Sequence, residues 1–183
     1  YLYERFVFAF ENLSYEDTQT KSGVESILSG TFMYKSKPSG YSYTYSELII
    51  KAGQAVGVSP YHIASRIKQE VGSSLSSVTN GKHAKYPGIY NFYNIGGYDS
   101  ASGNAVTNAL RWAATSGSYG RPWNNVYKSI YGGAQYIGNN YILKKQNTLY
   151  TQKFNVTNTS NLFSHQYMSN VQAVSSEASK VFN

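Results

Sequence analysis

The sequence contains no cysteine, which excludes a disulfide framework and any cysteine-based metal site. It has no apolar run near the roughly 18 residues that would suggest a membrane-spanning helix, so no membrane span is expected. Acidic residues are scarce, with nine Asp or Glu against 16 Lys or Arg and a formal net charge of +7. The 183 residues, 41% of them hydrophobic, suffice for one well-buried core, and we expect one structural unit overall.

We do not expect the first ten residues, "YLYERFVFAF", to be a signal peptide, because Glu4 and Arg5 interrupt the apolar stretch. The sequence also does not begin with Met. We therefore expect the chain to be a piece of a longer protein.

The charge is unevenly distributed along the chain. Residues 48–176 carry 11 Lys or Arg but only two acids, Glu70 and Asp99, and the whole chain contains 19 tyrosines and 16 glycines. A basic, tyrosine-rich surface favours binding of an anionic polymer. Composition leaves open whether this polymer is single-stranded nucleic acid or a teichoic-acid-bearing cell wall.

Hydrophobic periodicity predicts two consecutive helices in the segment 45–72. The first helix is expected to be capped by Ser46 and to end at Gly57. The second is expected to be capped by Ser59, with Pro60 at its first position, and to end at Gly72.

The following segment is rich in Ser, Asn, Gly and Tyr, and Asn80-Gly81 predicts a tight hairpin turn. Helical periodicity returns after Asn104 in "NAVTNALRWAA" and again in "NNVYKSIYGGAQYIGNNYI". The predicted fold class is mainly α, more fully α+β with a small β-hairpin.

Glu70 is placed by this pattern in the last turn of the second predicted helix, on the edge of its apolar face. The helix end carries partial negative charge, which disfavours a second negative charge beside it. A carboxyl group that keeps its proton is what a glycosidase uses as a general acid. The alternative is a solvated glutamate that pairs with Arg66 one turn earlier.

Five blocks together carry a resemblance to a known family: "SPYHIASRIKQEVG", "YNFYNIGGYD", "IYGGAQYIGNNYI", "NTLYTQKFNV" and "HQYMSNV". Their order over residues 45–178 resembles the glucosaminidase catalytic domain of Gram-positive autolysins, glycoside hydrolase family 73, in its clostridial type.

The resemblance implies a lysozyme-like fold of two lobes with a substrate groove. It also implies a secreted, cell-wall-associated endo-β-N-acetylglucosaminidase, which cleaves between N-acetylglucosamine (GlcNAc) and N-acetylmuramic acid (MurNAc) in peptidoglycan. Residues 1–44 are then an N-terminal extension packed on a catalytic domain of residues 45–183. Glycan strands and anionic wall polymers are the expected partners of a monomer, with no nucleic acid and no cofactor.

Carried over by position, Glu70 matches the catalytic glutamate of the family. Many members have Gly where this chain has Asn94. We consider Trp123 a possible sugar platform and expect Trp112 to lie in the core. The substrate-binding residues implied by the resemblance are Asn91, Phe92, Tyr93, Asn94, Ile95, Gly96 and Tyr98.

A second carboxylate is the weakest part of the predicted site. Residues 73–90 contain no glutamate, so Asp99 is the only other carboxylate available in the basic region. It could act as a base for inversion, or it could be an ordinary turn residue. In the alternative mechanism the acetamido oxygen of the substrate attacks its own anomeric carbon, with Tyr98 or Tyr93 orienting it.

Other functions remain open at the level of sequence. The three histidines, His62, His83 and His165, lack a metal-ligand spacing, so no metal site is expected. A non-catalytic wall-binding module or a single-stranded nucleic-acid binder would share the basic charge. A lytic transglycosylase would share a related fold.

Overall fold

The computed structural model describes residues 3–160, 162–166, 170 and 172–182. It contains two 3₁₀ helices, Glu4–Phe10 and Ile142–Lys144, and one antiparallel hairpin of β1 (Lys82–His83) and β2 (Tyr86–Pro87). The prediction of a mainly α fold with a small hairpin is confirmed. The α-helices are α1 (Lys21–Leu28), α2 (Tyr45–Val56), α3 (Pro60–Val71), α4 (Ala105–Ala114), α5 (Val126–Asn140), α6 (Leu149–Phe154) and α7 (Ala173–Phe182).

The chain divides into two compact units, Tyr15–Tyr136 and the pair of segments Tyr1–Ser14 and Ile137–Asn183. Residues 15–44 therefore lie in the same unit as residues 45–136, and the chain does not divide at the border predicted after residue 44. None of the described helices is both long and apolar enough to cross a membrane.

The N-terminus of α2 is capped by Thr44, so the prediction of Ser46 as the cap is wrong. Glu47 at the third helical position completes a capping box: Thr44 Oγ1 accepts from the Glu47 N–H, and Glu47 Oε2 accepts from the Thr44 N–H at 2.7 Å. That backbone bond and the Lys21 ammonium lower the pKa of Glu47 to about 2. Ser46 is buried instead.

A buried carboxylate, that of Glu25 on α1, holds the first part of this unit together. Its Oε1 accepts from the Ser46 hydroxyl at 2.5 Å, and its Oε2 accepts from the Lys35 backbone N–H at 2.7 Å. One side chain thus fixes α1 to α2 and to the turn that precedes α2. Helix α1 also packs on α3, where the Tyr61 ring lies against Gly23.

Helix α3 has the bounds that the sequence predicted. The Ser59 hydroxyl accepts from the His62 N–H, Pro60 is the first helical residue, and Gly72 follows the last turn with φ of +69°. Ile63 and Ile67 are fully buried.

The hairpin turns at Ala84-Lys85, so the predicted turn at Asn80-Gly81 is wrong. Asn80-Gly81 instead opens the hairpin, because Asn80 Oδ1 accepts from the Lys82 N–H and the Gly81 carbonyl accepts from the Gly88 N–H, both at 2.8 Å. A side chain at Gly81 would also collide with the Tyr90 ring.

The glycine pair of "IYGGAQ" has a packing role on α5. A Cβ atom at Gly132 would overlap the Trp123 indole, and one at Gly133 would overlap the Tyr93 ring. The pair therefore lets both rings lie directly against the helix backbone.

In the second unit, Gln146 connects two segments of the chain through hydrogen bonds to His165. Its Nε2 donates to the His165 carbonyl at 3.1 Å, its Oε1 lies 2.9 Å from His165 Nδ1, and the His165 ring stacks on Tyr141. The block "HQYMSNV" begins at His165, but its residues 167–169 and 171 lie outside the described residues.

Candidate active site

Glu70 lies in the last turn of α3, where its side chain is 33% exposed. Arg66 Nη2 is 3.6 Å from Glu70 Oε1. The Arg66–Glu70 ion pair, which the sequence offered as the alternative to a catalytic role, is therefore present. At a partly exposed position such a contact contributes little to stability. A third of the Glu70 side-chain surface therefore remains open to solvent.

Asn94 connects the "NFYNIG" loop to this helix end. Its Nδ2 donates to the main-chain carbonyl of Glu70 at 2.6 Å. Carbonyls in the last turn of a helix have no partner within the helix, so this bond satisfies one of them. Asn94 has φ of +48°, in the left-handed region where Asn is tolerated better than most residues other than Gly. Asn94 therefore keeps a glycine-type backbone and adds a contact that Gly cannot make.

Asn91 shapes the same loop from inside. It is fully buried, its Nδ2 donates to the carbonyls of Ile95 and Ala109 at 2.9 Å each, and its Oδ1 accepts from the Ile95 N–H at 3.2 Å. A side chain with no exposed surface has none to offer a sugar. The expectation that Asn91 contacts substrate is therefore corrected to a role in holding the loop.

Phe92 and Tyr93 are also core residues rather than groove residues. Phe92 is fully buried, and its N–H donates to the Ser129 hydroxyl at 3.0 Å. Tyr93 is 6% exposed, and its hydroxyl donates to the Ile130 carbonyl at 2.9 Å. Burial raises the pKa of Tyr93 far above its ordinary value. These rings pack under the loop, and the Tyr93 hydroxyl already donates a hydrogen bond within the protein.

The burial of the two tryptophans is the reverse of what the sequence suggested. Trp123 is fully buried, and its Nε1 donates to the Tyr119 carbonyl at 2.8 Å, so it is not a sugar platform. Trp112 is only half-buried, and the Arg121 guanidinium lies 4.0 Å from its ring centre. The two indoles meet edge to face at 5.1 Å between centroids.

Tyr98 and Asp99 follow the loop on an exposed stretch. Tyr98 is 66% exposed, and Asp99 Oδ1 accepts from the Ala105 N–H at 2.8 Å. Asp99 thereby satisfies a donor at the start of α4, which is the contact of a turn or cap residue. Asn94, Ile95 and Gly96 are half-buried, so they keep some surface for a ligand.

A cavity of about 310 Å³ lies beside the chain that follows Glu70. Aromatic rings and two amino groups share its wall, with no acid among its lining residues; they include Phe32, Tyr45, Tyr90, Lys37 and Lys82. Burial raises the pKa of Tyr45 to about 12, so its hydroxyl remains protonated at neutral pH. Sequence reasoning did not single out these residues, although the tyrosine-rich composition was a general signal.

Histidines do not assemble with acids into a metal centre within the described part of the chain. His62 is buried on α3, where loss of solvation and, to a smaller extent, Arg66 lower its pKa to about 3. It is therefore neutral in the folded protein at physiological pH.

Comparison with known proteins finds homologues of the chain among the bifunctional autolysins of staphylococci. No family model matches the chain. The bifunctional autolysin of Staphylococcus epidermidis is 30% identical over 129 residues, which cover 66% of this chain and 9% of that protein. The bifunctional autolysin of Staphylococcus aureus is 29% identical over 132 residues, covering 66% and 10%. The chain spans about a tenth of the length of these curated relatives.

Solved structures share the fold over nearly the whole chain. Glucosaminidase B of S. aureus has a TM-score of 0.71 at 21% identity, covering 97% of this chain and 67% of that chain. The crystal structure of major bifunctional autolysin has a TM-score of 0.65 at 23% identity, covering 96% and 65%. A catalytic mutant of S. aureus autolysin E in complex with the disaccharide NAG-NAM has a TM-score of 0.64 at 21% identity, covering 96% and 70%.

The fold is that of autolysin glucosaminidases. The chain itself is homologous to the bifunctional autolysins, and the resemblance found in the sequence is confirmed.

Proposed function

We propose that the chain is a peptidoglycan hydrolase, an endo-β-N-acetylglucosaminidase that cleaves the bond between GlcNAc and MurNAc. One observation carries the proposal. The "NFYNIG" loop is bonded through Asn94 to the helix end that bears Glu70, in a chain homologous to autolysins. The complex of autolysin E with NAG-NAM supports a substrate of the same class.

Glu70 is the proposed general acid. It donates its proton to the glycosidic oxygen as the bond from that oxygen to the anomeric carbon of GlcNAc breaks, so that MurNAc leaves with a neutral hydroxyl. General acid catalysis of this kind typically contributes about 10²–10⁴-fold. Arg66, 3.6 Å away, can fix the direction of the carboxyl group between turnovers.

The proposed nucleophile is the substrate itself rather than a second carboxylate. As the glycosidic bond breaks, the acetamido oxygen of GlcNAc attacks the anomeric carbon from the opposite face and forms a cyclic oxazolinium ion. Water then opens this ring and gives its proton to the Glu70 carboxylate, which leaves the configuration retained. The bond from the Ala105 N–H to Asp99 supports this path over an inversion assisted by Asp99. Tyr98 is the remaining candidate for orienting the acetamido group, because the Tyr93 hydroxyl is bonded to Ile130.

Basic charge supports the further proposal that the protein acts in the cell wall, outside the cell. Lys37 and Lys82 line the aromatic cavity beside the segment after Glu70, and the whole chain carries a net charge of +7. Anionic wall polymers are the matching partners, because opposite charge raises the local concentration of substrate.

The test is digestion of purified cell walls by the wild-type protein and by Glu70→Gln, following turbidity and new reducing ends. We expect the wild type to release reducing ends and Glu70→Gln to bind walls without cutting them. Wall binding by both proteins with no new reducing ends would make the chain a binding module. Anhydro-muramic ends would make it a lytic transglycosylase.

The mechanism is tested separately by NMR of the first-formed anomer, together with the kinetics of Asp99→Asn. A β-anomer product and near-normal activity of Asp99→Asn are expected. An α-anomer product, with a loss in Asp99→Asn as deep as in Glu70→Gln, would make Asp99 the base.

A further inference from the structure

A second cavity, of about 240 Å³, is lined by two arginines, Arg111 of α4 and Arg121 of the segment before α5. Its lining contains no acid among the described residues; the other members are Gly96, Tyr98, Asn108, Trp112 and Thr115. Neither arginine has a carboxylate at ion-pair distance within the described part of the chain. Two positive charges therefore face one cavity without a negative charge beside them.

Arg111 is fixed by three hydrogen bonds to uncharged groups. Its Nη2 donates to the Ser102 carbonyl at 2.6 Å, its Nη1 to the Ser102 hydroxyl at 2.9 Å, and its Nε to the Tyr86 hydroxyl at 3.4 Å. A guanidinium has five N–H donors, so Arg111 keeps donors for a ligand. Because the side chain is already ordered, it loses little freedom when an anion binds.

Arg121 is fixed in the same way, and it also covers an indole. Its Nε and Nη1 donate to the carbonyls of Ser118 and Trp112, at 3.1 and 2.9 Å. The guanidinium carbon lies 4.0 Å from the centre of the Trp112 ring. Its remaining N–H groups, including those of Nη2, are available to a ligand.

The other polar side chains of the cavity are already bonded or out of reach. The Asn108 amide donates to the carbonyls of Tyr98 and Gly103, and its Oδ1 is buried. The Thr115 hydroxyl donates to the Arg111 carbonyl at 2.8 Å. The guanidinium donors therefore determine which ligand group fits. Guanidinium groups pair with the oxygens of phosphates and carboxylates, often through two parallel bonds.

The aromatic rings of the cavity argue against nucleic acid as the source of such an anion. Proteins that bind single strands offer rings on which successive bases stack. Here Arg121 covers the Trp112 ring, and the Gly96 backbone lies against the same side chain. Of the two lining rings, Tyr98 is the mostly exposed one. A charged polymer without bases fits this lining better than a single strand.

We propose that the cavity binds the phosphodiester groups of a polyol phosphate, an anionic polymer of the cell wall. The phosphate oxygens accept hydrogen bonds from the free N–H groups of Arg111 and Arg121. The wall as the source of the polymer rests on the proposed function, whereas the anion chemistry rests on the two arginines. Such a site would hold the enzyme on the wall between successive cuts.

The test is titration of the wild-type protein with soluble probes while the indole N–H resonance of Trp112 is followed by NMR, assigned with Trp112→Phe. The probes are a glycerol phosphate oligomer, an oligothymidylate with the same number of phosphates, an oligoglutamate of equal charge and an uncharged polyglycerol. We expect the glycerol phosphate oligomer to bind about tenfold more tightly than either other anion, a difference of about 1.4 kcal/mol. Polyglycerol should cause no shift.

Three results would overturn the proposal. No shift with the glycerol phosphate oligomer would remove the site. Equal or tighter binding of the oligothymidylate would assign the cavity to nucleic acid, and equal or tighter binding of the oligoglutamate would assign it to carboxylates.

Matched variants then locate the charge that matters. Arg111→Gln and Arg121→Gln should each weaken binding of the glycerol phosphate oligomer about fivefold or more, because each removes a charge-assisted hydrogen bond. Arg111→Lys keeps the charge but loses the planar fork, so it should also weaken binding. Lys128→Gln removes one charge from an exposed position outside the cavity and should leave binding nearly unchanged.

An equal loss in Lys128→Gln would reduce the site to general electrostatic attraction. If a glutamine variant does not fold, Arg111→Lys and the wild-type comparison of the probes still decide. Hydrolysis is not measured, so the site and the proposed function fail separately. Phosphate binding without wall digestion would remove the hydrolase and keep the anion site, and wall digestion without phosphate binding would do the reverse.

Discussion

The side-chain amide of Asn94 donates a hydrogen bond to the main-chain carbonyl of Glu70 at 2.6 Å, across 24 positions of sequence. The bond joins a loop residue in a left-handed conformation to the last turn of α3. The direction in which the Glu70 side chain leaves the helix therefore depends on the loop as well as on the helix.

Replacing Asn94 separates its two contributions. Asn94→Gly keeps the left-handed backbone but loses a bond worth about 1 kcal/mol, so we expect kcat on cell walls to fall about fivefold with little change in KM. Asn94→Ala also strains the backbone and should lower the melting temperature. Steady-state assays of reducing ends and thermal melts give these values. Wild-type kcat in Asn94→Gly would show that the bond does not position Glu70.

Tyr98 and Tyr93 offer a matched pair for the mechanism. Tyr98→Phe should lower kcat about tenfold, about 1.4 kcal/mol, because it removes an exposed hydroxyl that can orient the acetamido group. Tyr93→Phe should leave kcat near normal but cost about 1 kcal/mol of stability, because it removes the hydrogen bond from the Tyr93 hydroxyl to the Ile130 carbonyl. Both variants are compared by wall digestion and urea denaturation. The reverse pattern would exclude Tyr98 from catalysis.

His62 should make the protein sensitive to acid. Its pKa is about 3 in the folded state and 6.5 ordinarily, so between these values only the unfolded chain binds the proton. Above pH 6.5 His62 is neutral in both states, and its full contribution to the free energy of unfolding is present. As pH drops from 6.5 toward 3, the free energy of unfolding falls by up to about 1.4 kcal/mol per pH unit.

The measurement is the free energy of unfolding by urea at pH values between 6.5 and 5. This range lies above pH 4.5 to 2, where protonation of Glu47 changes the free energy of unfolding. His62→Gln should reduce the slope in this range. An unchanged slope in His62→Gln would contradict the assignment.

Gly133→Ala should destabilise the protein, because its Cβ would enter the Tyr93 ring. Overpacking of this kind typically costs about 1–3 kcal/mol. Adding Tyr93→Leu should recover part of the loss, since the two changes act on one contact and are not additive. Denaturation of the two single variants and the double variant completes the cycle, and strict additivity would refute the contact.

Salt should weaken the digestion of whole walls more than that of a short uncharged chitooligosaccharide. Screening removes the attraction between an anionic polymer and the 11 bases of residues 48–176, but it barely affects a neutral substrate. Rates at about 0.05 and 0.5 M salt test this. Equal sensitivity for the two substrates would place the salt effect in the active site or in the fold.

Much of the helical framework was accessible from sequence, because its signals are local. Ser59, Pro60 and Gly72 define α3, and α4 begins directly after Asn104, where the periodicity placed it. The errors occurred where two local signals competed. Glu47 selects Thr44 rather than Ser46 as a cap, and the hairpin turns at residues 84–85 although Asn80-Gly81 has the stronger turn composition.

The candidate site was only partly predictable, because burial depends on the tertiary structure. Sequence could place Glu70 at a helix end but could not separate the exposed Tyr98 from the buried Tyr93, or Trp112 from Trp123. The positive φ of Asn94 and the unpartnered Oδ1 of Asn108 have no one-dimensional signal. Both are properties of backbone and contacts that form only on folding.

The buried Glu25 carboxylate has a practical consequence for shortening this protein. A fragment that began at residue 45 would match the sequence blocks of the family, yet it would lack Glu25 beneath Ser46 and the Thr44 cap of α2. It would also expose the apolar surface that α1 covers on α2 and α3. The smallest fragment worth expressing for the unit that carries Glu70 therefore starts no later than Tyr15, whose N–H donates to the Gly57 carbonyl at 3.0 Å.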